Sequence, residues 1–120
     1  MFPPVFKTIH TPAVAAIVGD RIGRHGEIPQ EELRPYIVWQ IVTGEPHTHL
    51  SGPPPSDFTT VQIDCYHRAD GGVEPLAAAV RAALDAALIV NRIVVDNRDP
   101  DTRLYRVGLD ADFITQRDSG

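Results

Sequence analysis

Tyr36 to Thr43 reads Tyr-Ile-Val-Trp-Gln-Ile-Val-Thr, a run of β-branched and aromatic residues that predicts a strand. Ile37, Trp39 and Ile41 share one face. Tyr36, Val38 and Val42 share the other, with Gln40 among them. Both faces are largely apolar, which places this strand centrally in a sheet or under a second covering surface. Phe58 to His67 alternates instead. Val61, Ile63 and Cys65 point one way, and Thr60, Gln62, Asp64 and Tyr66 the other, the pattern of a sheet with one wet face. Between these strands lies TGEPHTHLSGPPPS, Thr43 to Ser56, a hairpin connection well above the usual few residues.

A helical period follows. Val73, Leu76, Ala77, Val80, Leu84 and Ala87 recur on one stripe, with Glu74, Arg81 and Asp85 opposite, so Val73 to Ala87 is predicted as a helix. Asp70-Gly71-Gly72 reads as the break before it, and Pro75 as tolerable in its first turn. Its many alanines make it thin enough to lie close against a sheet. Upstream, Pro3 to His10 predicts a short helix. Thr11-Pro12 reads as an N-cap with proline at the first helical position, the helix running to Val18 and stopping at Gly19. Arg21 to Arg34 is polar and irregular, with a short edge strand placed near Ile22. Leu88 to Val95 predicts a third strand, Asp96 to Asp101 a turn cluster, Thr102 to Val107 a fourth strand and Asp112 to Gln116 a last short one, before a polar tail at Arg117 to Gly120. The expected architecture is α+β. One domain, residues 1–120, carries an antiparallel or mixed sheet of four to five strands with the alanine-rich helix and the short N-terminal helices packed on it.

Composition narrows the function. The chain has 120 residues and 42% apolar content, enough for one modest core. Sixteen acids against eleven bases give a formal charge of −5, which argues against a protein that grips nucleic-acid phosphates. An acidic surface does suit a conduit past which DNA must slide. No apolar run approaches the roughly 20 residues that span a bilayer, and no signal peptide is read at the N-terminus. Cys65, the lone cysteine, excludes an internal disulfide and fits a reducing compartment.

Two constellations invite a chemical reading. His47 and His49, two apart on an extended segment, project to one side and can reach one ion; Cys65 and His67 are the candidates to complete the ligand set. Against this, the hairpin puts His67 a strand's length from His49, and Cys65 falls on the apolar face as a buried structural thiol does. Exposed loop histidines are the simpler account. Asp64 with Tyr66, and Asp110 with Asp112, are candidate acid–base pairs, but neither burial nor a pocket is indicated around them. Surface positions on a wet strand face and in a turn account for them. There is no nucleophile elbow and no phosphate-cradling glycine loop. These observations weigh against an enzyme, and no cofactor is indicated. Tyr36 and Trp39 serve either as core or as interface anchors, and the pattern leaves both open.

Four segments together resemble one family. Arg34-Pro35-Tyr36-Ile37-Val38-Trp39-Gln40-Ile41-Val42-Thr43-Gly44, Thr60-Val61-Gln62-Ile63-Asp64-Cys65-Tyr66, Leu76-Ala77-Ala78-Ala79-Val80-Arg81-Ala82-Ala83-Leu84 and Pro12-Ala13-Val14-Ala15-Ala16-Ile17-Val18-Gly19-Asp20-Arg21-Ile22 are similar, in this order, to motifs of the tailed-phage tail terminator, or tail completion (tail-to-head joining), proteins. The resemblance implies structural work. Such a protein forms a hexameric ring that caps the tail tube, ends polymerisation of the major tail protein and offers a surface to the head connector. It sits at the head-proximal end of the virion tail after assembly in the host cytoplasm, and the genome DNA passes through without specific binding. No catalytic, cofactor or metal residue carries over. The expected interface residues are Tyr36, Trp39, Pro46, His47, His49, Pro53, Pro54 and Pro55, the prolines stiffening the Thr43–Ser56 connection into an arm. The alternatives are a head-side neck or stopper protein, a small metal-binding enzyme built on His47, His49, His67 and Cys65, and a host-encoded α+β oligomer.

Overall fold

The computed structural model describes residues 3–29, 34–46, 56–100 and 102–116, in backbone terms alone at 43–46, 56–58, 115 and 116. Eight elements follow in order: α1 (Val5–Ile9), α2 (Pro12–Val18), β1 (Ile22–Arg24), β2 (Tyr36–Pro46), β3 (Ser56–His67), α3 (Asp70–Ala86), β4 (Val90–Arg98) and β5 (Tyr105–Gln116). The strands form one sheet in the order β1-β2-β3-β5-β4. β1 runs parallel to β2 and every other pairing is antiparallel, so the sheet is mixed and the fold is α+β.

The helices lie on one face of the sheet. Ile37 and Trp39 of β2, Val61, Ile63 and Cys65 of β3 and Val107, Leu109, Ala111 and Phe113 of β5 pack beneath Val5, Ile9, Val14, Val18, Val73, Leu76, Ala77, Val80 and Leu84. The stripe predicted for α3 is buried as expected, except that Ala83 takes the place given to Ala87, which is exposed at the helix end. Thr11 caps α2, its hydroxyl oxygen accepting the Val14 N–H at 3.4 Å, and Gly19 closes it at a φ of +60°.

Several boundaries differ from the sequence expectation: β2 runs past Thr43 to Pro46, β3 begins at Ser56, and β4 continues to Arg98 through the first half of the expected turn cluster, because the ladders extend beyond the apolar runs that signalled them. Three other differences have a local cause. α3 begins at Asp70, so Gly71 and Gly72 form its first turn instead of a break. A Cβ on Gly72 would fall inside the imidazole of His67, whose Nδ1 accepts the Ala69 N–H at 3.0 Å. The glycine is there for close approach. Pro75 consequently sits in the second turn, where it removes a bond to the Gly71 carbonyl; Gly71 is exposed, and water can serve that oxygen. At the other end, Leu88 is the helix terminator and not a strand residue. It adopts φ +60°, its N–H reaches the Asp85 carbonyl at 2.9 Å, and the Ile89 N–H reaches Leu84 at 2.9 Å. This is a Schellman closure with leucine where glycine is usual. Lastly, the two strands expected at 102–107 and 112–116 are one strand, β5. Gly108 lies inside it because a Cβ there would come within 2.7 Å of Asp64 Oδ1 and 3.1 Å of Val95 Cβ.

Candidate assembly surfaces

The face of the sheet away from the helices is not the plain wet surface its alternation indicates. At one end, Tyr36, Val38 and Leu104 form a second small core, with Ile28 and Tyr66 against it. The apolar second face of β2 is thus covered here by the chain's own residues. Tyr36 and Tyr66, directly opposite in the β2–β3 register, stack with ring centroids 4.8 Å apart and planes 17° from parallel. These rings, with Val38, Ile28 and Pro29, line a recess of about 380 Å³ whose rim carries His25, Asp99 and Thr102. Burial, and then the neighbouring Asp64 carboxylate, push the Tyr66 phenol up to about 12.

Asp64 itself is a correction to the surface role expected for it. It is 3% exposed, and its Oδ1 accepts from Arg106 Nε at 3.1 Å, Arg106 Nη2 at 3.1 Å and Gln62 Nε2 at 3.2 Å. Asp110 and Asp112 lie on β5, not in a turn. Thr60 donates to Asp112 Oδ1 at 3.0 Å, and Arg92 of β4 spans Asp112 at 3.2 Å and Asp110 at 3.6 Å. The carboxylates are held by arginines from adjacent strands, which makes them rungs of the sheet. A glycine inside a strand was the available sign that a side chain from the next strand lies over it.

The two sheet edges differ. On β1 the outward N–H groups are taken within the chain: Ile22 donates to the Asp20 carbonyl at 2.8 Å and Arg24 to Glu27 Oε2 at 3.1 Å. Among the described residues no element pairs with the outer side of β4. β4 exposes Val90, Ile93 and Val94, carries neither lysine nor proline, and bulges at Val94. Beside it, a groove of about 470 Å³ runs between β4 and α3, lined in its apolar part by Pro75, Ala77, Ala78, Ile93 and Val107.

The sequence candidates fall as follows. Trp39 is 8% exposed, in the main core, with the Arg24 guanidinium 5.7 Å above its ring. Tyr36 is at the recess floor. Pro46 ends β2, opposite Asp57. His47, His49, Pro53, Pro54 and Pro55 lie outside the described residues. Cys65 is fully buried, and burial, then Asp64, push its thiol up. His67 pairs with Tyr105 at the end of β3 away from the 47–55 connection. Among the described residues no three His, Cys, Asp or Glu side chains gather as a metal set, and no helix is long and apolar enough to cross a membrane.

A family model described as "Tail completion protein gp17" matches residues 8–116. Among solved structures, a chain described as "Virion of native gene transfer agent (GTA) particle" shares the fold, with a TM-score of 0.65 at 15% identity over 94% of this chain and 92% of that one. Among curated proteins none matches.

Proposed function

Because this chain belongs to the tail completion protein gp17 family and is a structural tail protein of the bacteriophage type, we propose that it assembles with copies of itself into a hexameric ring. The ring caps the tail tube, ends tail polymerisation and presents the joining surface to the head connector. The major tail tube protein and the head-tail connector are its partners. Its place is the head-proximal end of the tail, reached after assembly in the host cytoplasm. Genome DNA crosses the ring without specific binding, which the net charge of −5 favours.

The observation that carries this reading is the unequal pair of edges. A ring needs a heterologous contact, one patch meeting a different patch until rotation closes. Among the described residues the molecule is closed at β1 and unpaired at β4, which gives it unlike flanks, and an uncovered apolar edge is a hazard unless a neighbour takes it. The 46–55 segment is the other proposed contact. A variant lacking Pro46 to Pro55 folds but neither rings nor caps. Electron microscopy of purified tail tubes incubated with wild type and variant decides this: caps from the shortened chain remove the arm from the reading. Wild type that binds the connector alone and leaves tubes bare refutes tube capping and makes it a head-side stopper.

A further inference from the structure

The recess floored by Tyr36 and Tyr66 has a fitting occupant elsewhere in the sequence. We infer that it receives the proline run Pro53-Pro54-Pro55 of a second copy of this chain. This rests on the self-assembly reading above and gives that assembly one specific joint. The chemistry selects between the molecule's two cavities. The α3–β4 groove lies beside an unpaired strand edge, whose natural guest is a strand with N–H groups to donate. Three successive prolines have none. In the tyrosine recess that lack is an advantage, since a proline segment brings no N–H to be buried unpaired, and its backbone is already extended before binding. Half-buried Tyr66 and Ile28 with exposed Pro29, over buried Tyr36 and Val38, offer the apolar contact such a segment needs, and His25, Asp99 and Thr102 on the rim can meet its carbonyls or flanking polar groups.

Geometry makes the contact intermolecular. Tyr66 is ten residues along β3 from Ser56, about 33 Å at strand rise. Pro53 is three residues before Ser56 and so lies within about 11 Å of it, at 3.8 Å per step. No chain can place its own prolines in its own recess. The recess lies beyond the reach of the run in the same chain, so the two meet only between copies, head to tail, as ring closure requires.

Disulfide trapping tests it. His25 is exposed on the rim, and native Cys65 is fully buried. The double variant His25→Cys, Pro54→Cys, oxidised mildly at ring-forming concentration, gives a ladder of covalent multimers. The control Val94→Cys, Pro54→Cys gives at least about tenfold less. Adding Thr102→Trp, which fills the recess from its rim, abolishes the first ladder while thermal melting shows the fold intact. Equal ladders from both pairs, a ladder that survives the filled recess, or cross-links formed with added tail tube protein in place of self-links would overturn the inference. Ring counts by electron microscopy separate the two readings. If the filled-recess variant still rings, assembly stands and this joint falls. If wild type forms no ring, the ring falls and the trapping result alone decides the joint.

Discussion

The Asp64–Arg106 pair allows a prediction whose sign and order come from burial. The Asp64 side chain is 5% exposed and that of Arg106 is 26% exposed, and three donors converge on one carboxylate oxygen. Breaking a buried pair by deleting one member costs about 3–5 kcal/mol, chiefly because the surviving charge is stranded. The survivors differ. In Asp64→Ala the guanidinium remains, and a quarter of its side chain already meets water, so the cost discounts to about 2–3 kcal/mol. In Arg106→Ala a carboxylate remains almost dry with one neutral donor, Gln62, and the full range of about 3–5 kcal/mol applies. Arg106→Ala is therefore the more damaging change. Asp64→Leu, Arg106→Met, which removes both charges and keeps volume, is milder than Arg106→Ala alone. Urea unfolding followed by circular dichroism, with free energies from linear extrapolation, measures all three. If Asp64→Ala proves worse than Arg106→Ala, or if the apolar double variant is as damaged as the worse single one, burial is not what sets the cost of this pair.

Leu88 holds a left-handed φ that costs a side-chain residue about 1 kcal/mol, and it is 92% exposed, so little packing is lost with it. Leu88→Gly is expected to raise stability by about 0.5–1 kcal/mol in the same urea assay, and a loss contradicts the Schellman assignment. Tyr66 gives a pH dependence. Its phenol is raised from 10.0 to about 12 in the folded chain, so the stability it contributes is fully present below pH 10 and is lost as pH rises towards 12. Half-burial reduces the nominal effect to about 1–2 kcal/mol. Tyr66→Phe should flatten that alkaline loss, and tyrosinate absorbance of the wild type should show a late-titrating component that the variant lacks.

The sequence made the layers legible because burial imposes a period. The central strand, the alternating strand and the alanine-rich helix each carry theirs over seven residues or more, and the mixed five-stranded α+β sheet follows from them. The boundaries went wrong where one residue type serves two physical ends. Gly71-Gly72 reads as a break because glycine ends helices, yet Gly72 is inside one so that the His67 ring can lie against it. Gly108 reads as a gap between strands, yet it makes room for Asp64 and Val95. Leu88 reads as strand because leucine gives no sign of a positive φ. Asp64 reads as solvated because its arginine is 42 residues away, and pairing across β3 and β5 is a property of register. For the same reason the tyrosine recess was invisible: Ile28 and Thr102 come to Tyr36 and Tyr66 from loops with no periodicity of their own.

The two faces of the sheet divide the labour in a way that bears on assembly. Among the described residues the helix face spends its side chains on the core, and exposes large apolar ones where the sheet runs past α3 at Ile41 and along β4 at Ile93. The opposite face is stiffened by cross-strand charge pairs in its middle and opens into a recess at one end. Each arginine there bridges strands: Arg106 ties β5 to β3, and Arg92 ties β4 to β5. The open β4 edge is thereby held to the rest of the sheet by side chains as well as by its ladder. An edge that must accept load from a neighbour benefits from such ties, since a strand anchored on one side alone would peel. Removing Arg92 should accordingly weaken any assembly through β4 more than it weakens the isolated fold, because its carboxylate partners are partly solvated and an exposed pair adds at most about 1 kcal/mol to folding.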